Sequence, residues 1–334
     1  MKVLLIGGTG VISTEVSKRS LSLGHEVVLL NRGTCTRGLP PENVRQFHAN
    51  IRNPEEVKGV IGDENFDVIV DFLSFTPGQL RSTLEIFRGR YRQFIFISSA
   101  VVYQRGLADV EEDAPLTNLA WDYSRDKIGC EQTLVIEDRL YGCPYTIVRP
   151  NVTYGDTRIP AALISNRQWS FADRILRGVP IVMHDDGSAL TELTHSSDFA
   201  KGLCGLFLNP LAEREAYHIV SDERLNWKEI AIKVGEVLGR EPIFAYISSE
   251  NIIRTMPMTQ QGETFGVLLC HKAVSTPLNN RKIKAHVPEF VCTTSFDEGI
   301  RRTIDFYRTH PSFAEIDEKW NQEMDNLIRL YGTE

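Results

Sequence analysis

No stretch of the 334-residue chain approaches the ~18 consecutive apolar residues of a membrane span. The opening run from Met1 to Gly8 is too short for the apolar core of a secretory signal. The six cysteines, Cys35, Cys130, Cys143, Cys204, Cys270 and Cys292, include no C-x-x-C pair, so they read as reduced, mostly buried thiols. The eight histidines form no H-E-x-x-H, and no metal site is expected. Positive charge is also short: 37 basic against 44 acidic residues leave a net charge of −7. Such a chain has no bulk attraction to nucleic acid or anionic lipid. Internal repeats and low-complexity linkers are missing as well. A cytoplasmic protein of about two domains is what remains, at ~150 residues per domain, with 42% apolar residues available for its cores.

What is present is an alternation. Lys2–Ile6, His25–Leu30, Val44–Ile51, Phe66–Ser74, Gln93–Ser99 and Tyr145–Arg149 read as strands with almost unbroken apolar cores. Between them Ser13–Leu23, Pro54–Ile61 and Ala120–Leu140 read as helices, and Gly24 suits the position just after the first. Thr76-Pro77-Gly78-Gln79 marks another helix start, with Thr as N-cap, Pro at N1 and Gln at N3. Strands separated by helices predict an α/β fold with a parallel sheet covered on both faces. After Pro150 the pattern loosens. Helices are expected at Ile159–Gly178, Phe199–Leu208 (capped by Asp198), Asn226–Leu238, Ser295–Arg308 and Phe313–Tyr331, and short strands at Val179–His184 and Ala216–Ser221. The last helix carries an apolar stripe that is expected to pack on its own domain.

Gly7-Gly8-Thr9-Gly10-Val11-Ile12-Ser13 joins the first strand to the first helix. Gly7 allows the tight turn, Gly10 lets the backbone approach a pyrophosphate at the positive helix end, and Ser13 is small enough for close helix–strand packing. In this setting the loop predicts dinucleotide binding. The acid that commonly holds the ribose hydroxyls is missing, because the second strand ends Leu30-Asn31-Arg32-Gly33. Arg32, helped by Arg37, can pair with a 2′-phosphate, so NADP(H) is preferred to NAD(H). Asn50 and Ile51 end the third strand, where adenine would lie. Thr9, Val11 and Ile12 of the loop, Leu73 after the fourth strand, Pro150 after the sixth, and Tyr123 and Lys127 complete the candidate cofactor contacts.

Tyr123 and Lys127 stand four apart on one helix face, 24 residues after Ser99 at the C-terminal end of a predicted strand. Ligands bind at that end of a doubly wound sheet. An unperturbed phenol has a pKa of about 10. Lys127 and an oxidised nicotinamide are both cationic and favour phenolate, so Tyr123 is the candidate acid–base, with Ser99 stabilising charge on the substrate oxygen. Cys130, one turn beyond, reads as core rather than nucleophile.

These residues resemble an extended short-chain dehydrogenase/reductase, the NAD-dependent epimerase/dehydratase family that contains nucleotide-sugar epimerases. Gly7-x-x-Gly10, Ser98-Ser99-x-x-x-Tyr103, Tyr123-x-x-x-Lys127, Arg149-Pro150 and His195-x-x-Asp198-Phe199-Ala200 carry the likeness over about residues 1–210. The resemblance implies a Rossmann doubly wound parallel sheet (1–158, with 189–220 returning to it) and a smaller interleaved C-terminal substrate domain (159–188 and 221–334). It also implies a homodimer, and substrate contacts from Ser74, Ala100, Val101, Asn151 and His195, the last equally readable as a packed histidine.

The chain departs from the family pattern in three places. Dehydratases of this branch usually follow the catalytic hydroxyl residue with Asp-Glu, whereas Ala100-Val101 can supply neither acid nor base. The position that often holds a substrate-binding Asn aligns with Val152, next to Asn151, and the usual pyrophosphate-binding Arg is Thr191. Both changes weaken the hold on a nucleotide diphosphate and favour a smaller sugar-like substrate. The expectation is an NAD(P)-dependent epimerase of a sugar or sugar nucleotide. An NADP(H)-dependent ketone reductase with the same Ser-Tyr-Lys set is the alternative, and a non-catalytic RNA-binding relative is a third.

Overall fold

Val3–Ile6, Val27–Leu30, Val68–Val70 and Phe94–Phe96 are almost wholly buried, as strands need to be when helices cover both faces of their sheet. The computed structural model describes residues 1–34, 39–42 and 44–332. Its first part runs β1 (Lys2–Ile6), α1 (Val11–Ser22), β2 (Glu26–Asn31), β3 (Arg45–His48), α2 (Pro54–Ile61), β4 (Phe66–Asp71), α3 (Pro77–Phe87) and β5 (Tyr91–Ile97). It continues through α4 (Asp122–Tyr141), β6 (Tyr145–Val148), β7 (Val152–Tyr154), α5 (Trp169–Arg177), β8 (Ile181–His184), β9 (Leu190–His195), α6 (Ser196–Gly205) and β10 (Ala216–Tyr217). The remainder is β11 (Arg224–Asn226), α7 (Trp227–Leu238), β12 (Phe244–Ile247), α8 (Ser249–Thr255), α9 (Met258–Val267), α10 (Arg281–His286), α11 (Phe296–Thr309) and α12 (Glu318–Tyr331).

Seven strands form one parallel sheet in the order β10-β6-β5-β4-β1-β2-β3. Leu5 pairs in register with Leu29 of β2 and Val70 of β4. The chain leaves β1 toward β2 and β3, then returns to its other side at β4. That reversal opens a crevice at the C-terminal ends of β1 and β4, where a doubly wound sheet takes its ligand. Alternate residues of each strand serve opposite faces. Leu5, Leu29 and Val70 pack with Val16 of α1 and Phe199 and Leu203 of α6. Leu4, Val28 and Ile69 pack with Leu80 and Leu84 of α3 and with Cys130 and Leu134 of α4. The late segments form a separate three-stranded sheet, β11-β9-β7, and a parallel pair, β12-β8.

Helix starts follow their side-chain chemistry. Thr76 accepts from Gln79 N–H at 3.3 Å with Pro77 in the first turn, and Asn226 and Glu229 cap each other's backbone at 2.8 and 2.9 Å. Gly24 after α1 has φ +76°. Three expectations fail. Only Trp169–Arg177 of the stretch 159–178 is helical: Pro160 disfavours helix in the residue before it, and Ser165 Oγ takes up Arg167 N–H at 3.0 Å. The last helix begins at Glu318 rather than Phe313, because Asp317 caps it by accepting from Trp320 N–H at 3.0 Å. Helix α6 starts at Ser196, capped by His195. Asp198 lies inside its first turn and binds Thr294 N–H at 2.9 Å and Lys201 at 2.6 Å. The stripe on α12 packs within the chain, Met324 and Leu327 against Val182 of β8 and Ile247 of β12. Among the described residues no helix is long and apolar enough to cross a membrane, and no cluster of three metal-ligating side chains occurs.

Candidate active site

The loop after β1 shows why its small residues are needed. Gly7 has φ +89°, and a Cβ there would lie 2.7 Å from Leu73 Cγ. Gly10 is the N-cap of α1. The Ser13 hydroxyl accepts Gly10 N–H at 2.9 Å and donates to the Gly7 carbonyl at 2.8 Å. The third small residue of the motif is therefore a clamp that fixes the loop, beyond allowing close packing.

The loop forms one wall of a cavity of about 730 Å³ in the crevice between β1 and β4. Gly7, Thr9, Gly10, Val11 and Ile12 line it, facing Asn31 and Arg32 from the end of β2. Asn50 and Ile51 after β3 and Leu73 after β4 line it as well, whereas Tyr123 and Lys127 do not. The Asn31 side chain shapes the turn, accepting Gly33 N–H at 2.7 Å and donating to Gln46 at 3.1 Å. Pro150 lies outside the lining, and its carbonyl accepts Ala100 N–H at 2.8 Å. Arg37 falls outside the described residues. No carboxylate is among the described lining residues, whereas three guanidinium groups are: exposed Arg32, with Arg52 and Arg158, which the sequence did not single out. Backbone N–H groups at a helix start, a glycine cradle and positive walls suit a dinucleotide and its phosphates.

On α4 the residues Tyr123, Lys127 and Glu131 follow one another four apart, and this face is stitched to the end of β5. Ser99 lies beside the Tyr123 phenol. Lys127 Nζ donates to the carbonyls of Ile97 at 2.8 Å and Ser74 at 2.9 Å. Glu131 accepts from Ser98 Oγ at 2.6 Å and from Arg149 Nε and Nη2 at 2.9 and 2.6 Å. The structure thus brings Ser99, Tyr123 and Lys127 together at the C-terminal edge of the sheet. Burial pulls the Lys127 ammonium down to about 8 and pushes the Tyr123 phenol up, against the opposing effect of Ser99. Lys127 therefore does not lower the phenol by itself; its Nζ sits 5.9 Å from the Tyr123 ring centre and is committed to main-chain carbonyls.

Several expected substrate contacts have other duties. Ser74 is wholly buried, its hydroxyl held by Asp71 at 2.5 Å, so it contributes a carbonyl to Lys127 rather than a surface to a ligand. His195 is equally buried, its Nδ1 2.7 Å from Ser197 Oγ and its Nε2 3.3 Å from Asp156; it is a packed histidine. Asn151 donates to Glu192 at 2.6 Å and Thr191 at 3.3 Å and bonds His271 at 3.0 Å. Ala100 and Val101 form the buried turn after Ser99, and Val101 packs with Trp121 and Cys270 beside Tyr123.

A second cavity of about 720 Å³, walled by α9 and α12, shares Ile164, Ser165 and Asn166 with the first. Trp121, whose ring centre lies 5.0 Å from that of Tyr123, donates Nε1–H to Glu263 on this wall at 3.1 Å. Lys272, in the π-helical turn Leu268–Lys272, donates to the carbonyls of Ala161 and Ala162 at 2.9 and 2.7 Å. Burial lowers its ammonium to about 7. No sequence motif marks these residues, which come from segments without regular spacing.

The NAD-dependent epimerase/dehydratase family model matches residues 3–88 and 80–219 of the chain. The 41 kDa chloroplast stem-loop binding protein b of Arabidopsis thaliana is 27% identical over 244 residues, 69% of this chain and 61% of that protein. The chain thus spans less than two thirds of that relative. A 2′-dehydrokanamycin reductase of Streptomyces kanamyceticus is 25% identical over 241 residues, 72% of this chain and 67% of the relative. A UDP-glucose 4-epimerase of Lacticaseibacillus casei is 24% identical over 277 residues, 72% and 82% of the two chains. Among solved structures, an epimerase of Methanothermobacter thermautotrophicus superposes with a TM-score of 0.76 at 18% identity, covering 96% of this chain and 94% of its own.

Proposed function

The chain belongs to the NAD-dependent epimerase/dehydratase family, and from that premise we propose that it is an NAD(P)-dependent epimerase acting on a sugar-like substrate through a transient ketone. The observation that carries this reading is the gathering of Ser99, Tyr123 and Lys127 at the end of β5, with Lys127 Nζ 5.1 Å from the ring centre of Phe75, which lines the cavity of the glycine loop. The part comprising 1–158 and 189–220 takes the dinucleotide in this proposal, and 159–188 with 221–334 takes the substrate. When bound, the nicotinamide supplies a reversible hydride acceptor.

The chain's own residues handle the proton. Ser99 donates to the substrate oxygen and holds the charge that develops there. Tyr123 takes the carbinol proton in one direction and returns it in the other. Burial favours the neutral phenol, and a cationic nicotinamide bound beside it would favour release of the proton. Ala100 and Val101 offer no second acid or base, which sets dehydration aside.

Net ketone reduction with NADP(H) is the second reading. It is favoured by exposed Arg32 on a cavity whose described lining holds arginines and no carboxylate, and by the 2′-dehydrokanamycin reductase among the relatives. An RNA-binding role finds support in the name of the Arabidopsis relative, but the net charge of −7 opposes it. Cofactor stoichiometry separates the readings. An epimerase converts excess substrate with catalytic dinucleotide, a reductase consumes one dinucleotide per turnover, and Tyr123→Phe stops both. Turnover undiminished in Tyr123→Phe, or salt-sensitive RNA binding without any dinucleotide binding, overturns the enzyme assignment.

A further inference from the structure

Among the described residues that line the glycine-loop cavity, Arg158 is the one charged side chain that enters from beyond β6. We propose that Arg158 grips the diphosphate of the bound dinucleotide, complementing the glycine loop from the turn that follows β7; this deepens the function proposed above and rests on it.

The turn that carries Arg158 is pinned at successive residues. The Gly155 carbonyl accepts Arg158 N–H at 2.9 Å and the Thr303 hydroxyl at 3.1 Å. Asp156 pairs with Arg302 at 3.1 Å and lies 3.3 Å from His195 Nε2. The Thr157 carbonyl accepts from the Tyr307 hydroxyl at 3.1 Å. Helix α11 therefore holds the root of Arg158 in place, and the acid two residues before it already has a cation in Arg302. A Cβ on Gly155 would lie 3.1 Å from Val11 Cγ1, so the turn rests against the first residue of α1. Arg158 starts beside the helix end whose amides face the cavity, and a fixed root lowers the entropy lost when the side chain is ordered on a ligand.

Charge points the same way. The helix end supplies about half a unit of positive charge, short of what a diphosphate brings, and the first turn of α1 has no acidic side chain to oppose an anion. Arg32 and Arg52 come from the ends of β2 and β3, on one side of β1, whereas the chain that leads to Arg158 leaves β6 on the other. Arg52 is drawn to the Leu73 carbonyl, and Arg32 is placed for a 2′-phosphate. The guanidinium fork of Arg158 suits a pair of phosphate oxygens. Its charge is also felt at Tyr123: burial, the largest influence, raises the phenol, and Arg158 is among the groups that oppose it. A cation that serves both the glycine-loop cavity and the phenol suits the middle of a dinucleotide rather than its adenosine end.

Calorimetric titration of the full chain with NADH, NADPH and ADP-ribose tests this. All of these probes carry the diphosphate, NADPH alone carries a 2′-phosphate, and ADP-ribose lacks the nicotinamide. The expected result is that Arg158→Gln weakens every probe by the same factor, at least about tenfold at low salt, and that added salt narrows the gap from wild type. Arg158→Lys keeps the charge without the fork and should fall between the two. Arg158 is exposed, so both variants should unfold at the wild-type temperature, which thermal unfolding checks. Binding of every probe within about twofold of wild type in Arg158→Gln overturns the proposal. So does a loss confined to NADPH, which would put Arg158 on the 2′-phosphate, or a loss that spares ADP-ribose, which would put it on the nicotinamide half. A wild-type chain that takes none of the probes refutes the proposed function and this inference together, whereas one that binds them and is indifferent to Arg158→Gln refutes only the inference.

Discussion

Replacing Glu131 by Ala should destabilise the protein far more than a surface change would. The Glu131 and Arg149 side chains are each about 5% exposed, and the carboxylate accepts three hydrogen bonds, one from Ser98 and two from Arg149. Removing it leaves a guanidinium uncompensated in the interior, for which the usual loss is ~3–5 kcal/mol. Arg149 Nη1 keeps its bonds to Tyr103 Oη and the Glu112 carbonyl, so the lower end, about 3 kcal/mol, is expected. At ~2 °C per kcal/mol for a chain of this size, the unfolding midpoint should fall by about 6 °C. Glu131→Gln retains the shape and part of the hydrogen bonding, and its loss should be smaller. Because Glu131 continues the face that carries Tyr123 and Lys127, activity per folded molecule should fall as well. Thermal unfolding followed by circular dichroism measures the midpoint. A shift of Glu131→Ala below ~1 °C would refute the reasoning that this pair is buried and coupled to the helix position.

Other outcomes follow from single contacts. Ser13→Ala removes the hydroxyl that bridges Gly7 and Gly10, at a cost of ~1–3 kcal/mol for the stranded buried groups, and dinucleotide affinity should fall at least about fivefold in a fluorescence titration. Arg32→Ala should weaken NADPH binding about tenfold through a lost phosphate contact and leave NADH nearly unchanged; equal effects on the two would place Arg32 away from the 2′-phosphate. In ultraviolet difference titration without dinucleotide, the signal that disappears in Tyr123→Phe should titrate above the ordinary phenol value of about 10, since burial raises it. Adding oxidised dinucleotide should move that signal down.

Much of the sheet was legible because its signals are local. Pro54–Ile61 lies between Asn53, its cap, and Gly62, and the structure keeps both bounds. The glycine loop, Thr76-Pro77 and the spacing of Tyr123 and Lys127 each depend on a few neighbouring residues with fixed backbone or helix geometry. The losses came where the deciding partner is distant in sequence. Ser165 is held out of a helix by Asp317, 152 residues away, and Trp121 meets Glu263 across 142 residues. Arg52 and Arg158 enter the cofactor cavity from segments with no periodic pattern. Ser74 and His195 have residue types that suit a ligand, but only burial shows that Asp71 and Ser197 occupy them.

In the proposed function the crevice between β1 and β4 holds a nicotinamide dinucleotide, with Tyr123 as its acid–base partner. Mass spectrometry of small molecules released from the purified chain, paired with titration of NAD(H) and NADP(H), tests it most directly. The expected result is a retained or readily bound dinucleotide, NADP(H) tighter than NAD(H), with affinity reduced by Ser13→Ala. Release of no dinucleotide, together with no binding of either added form, would contradict it.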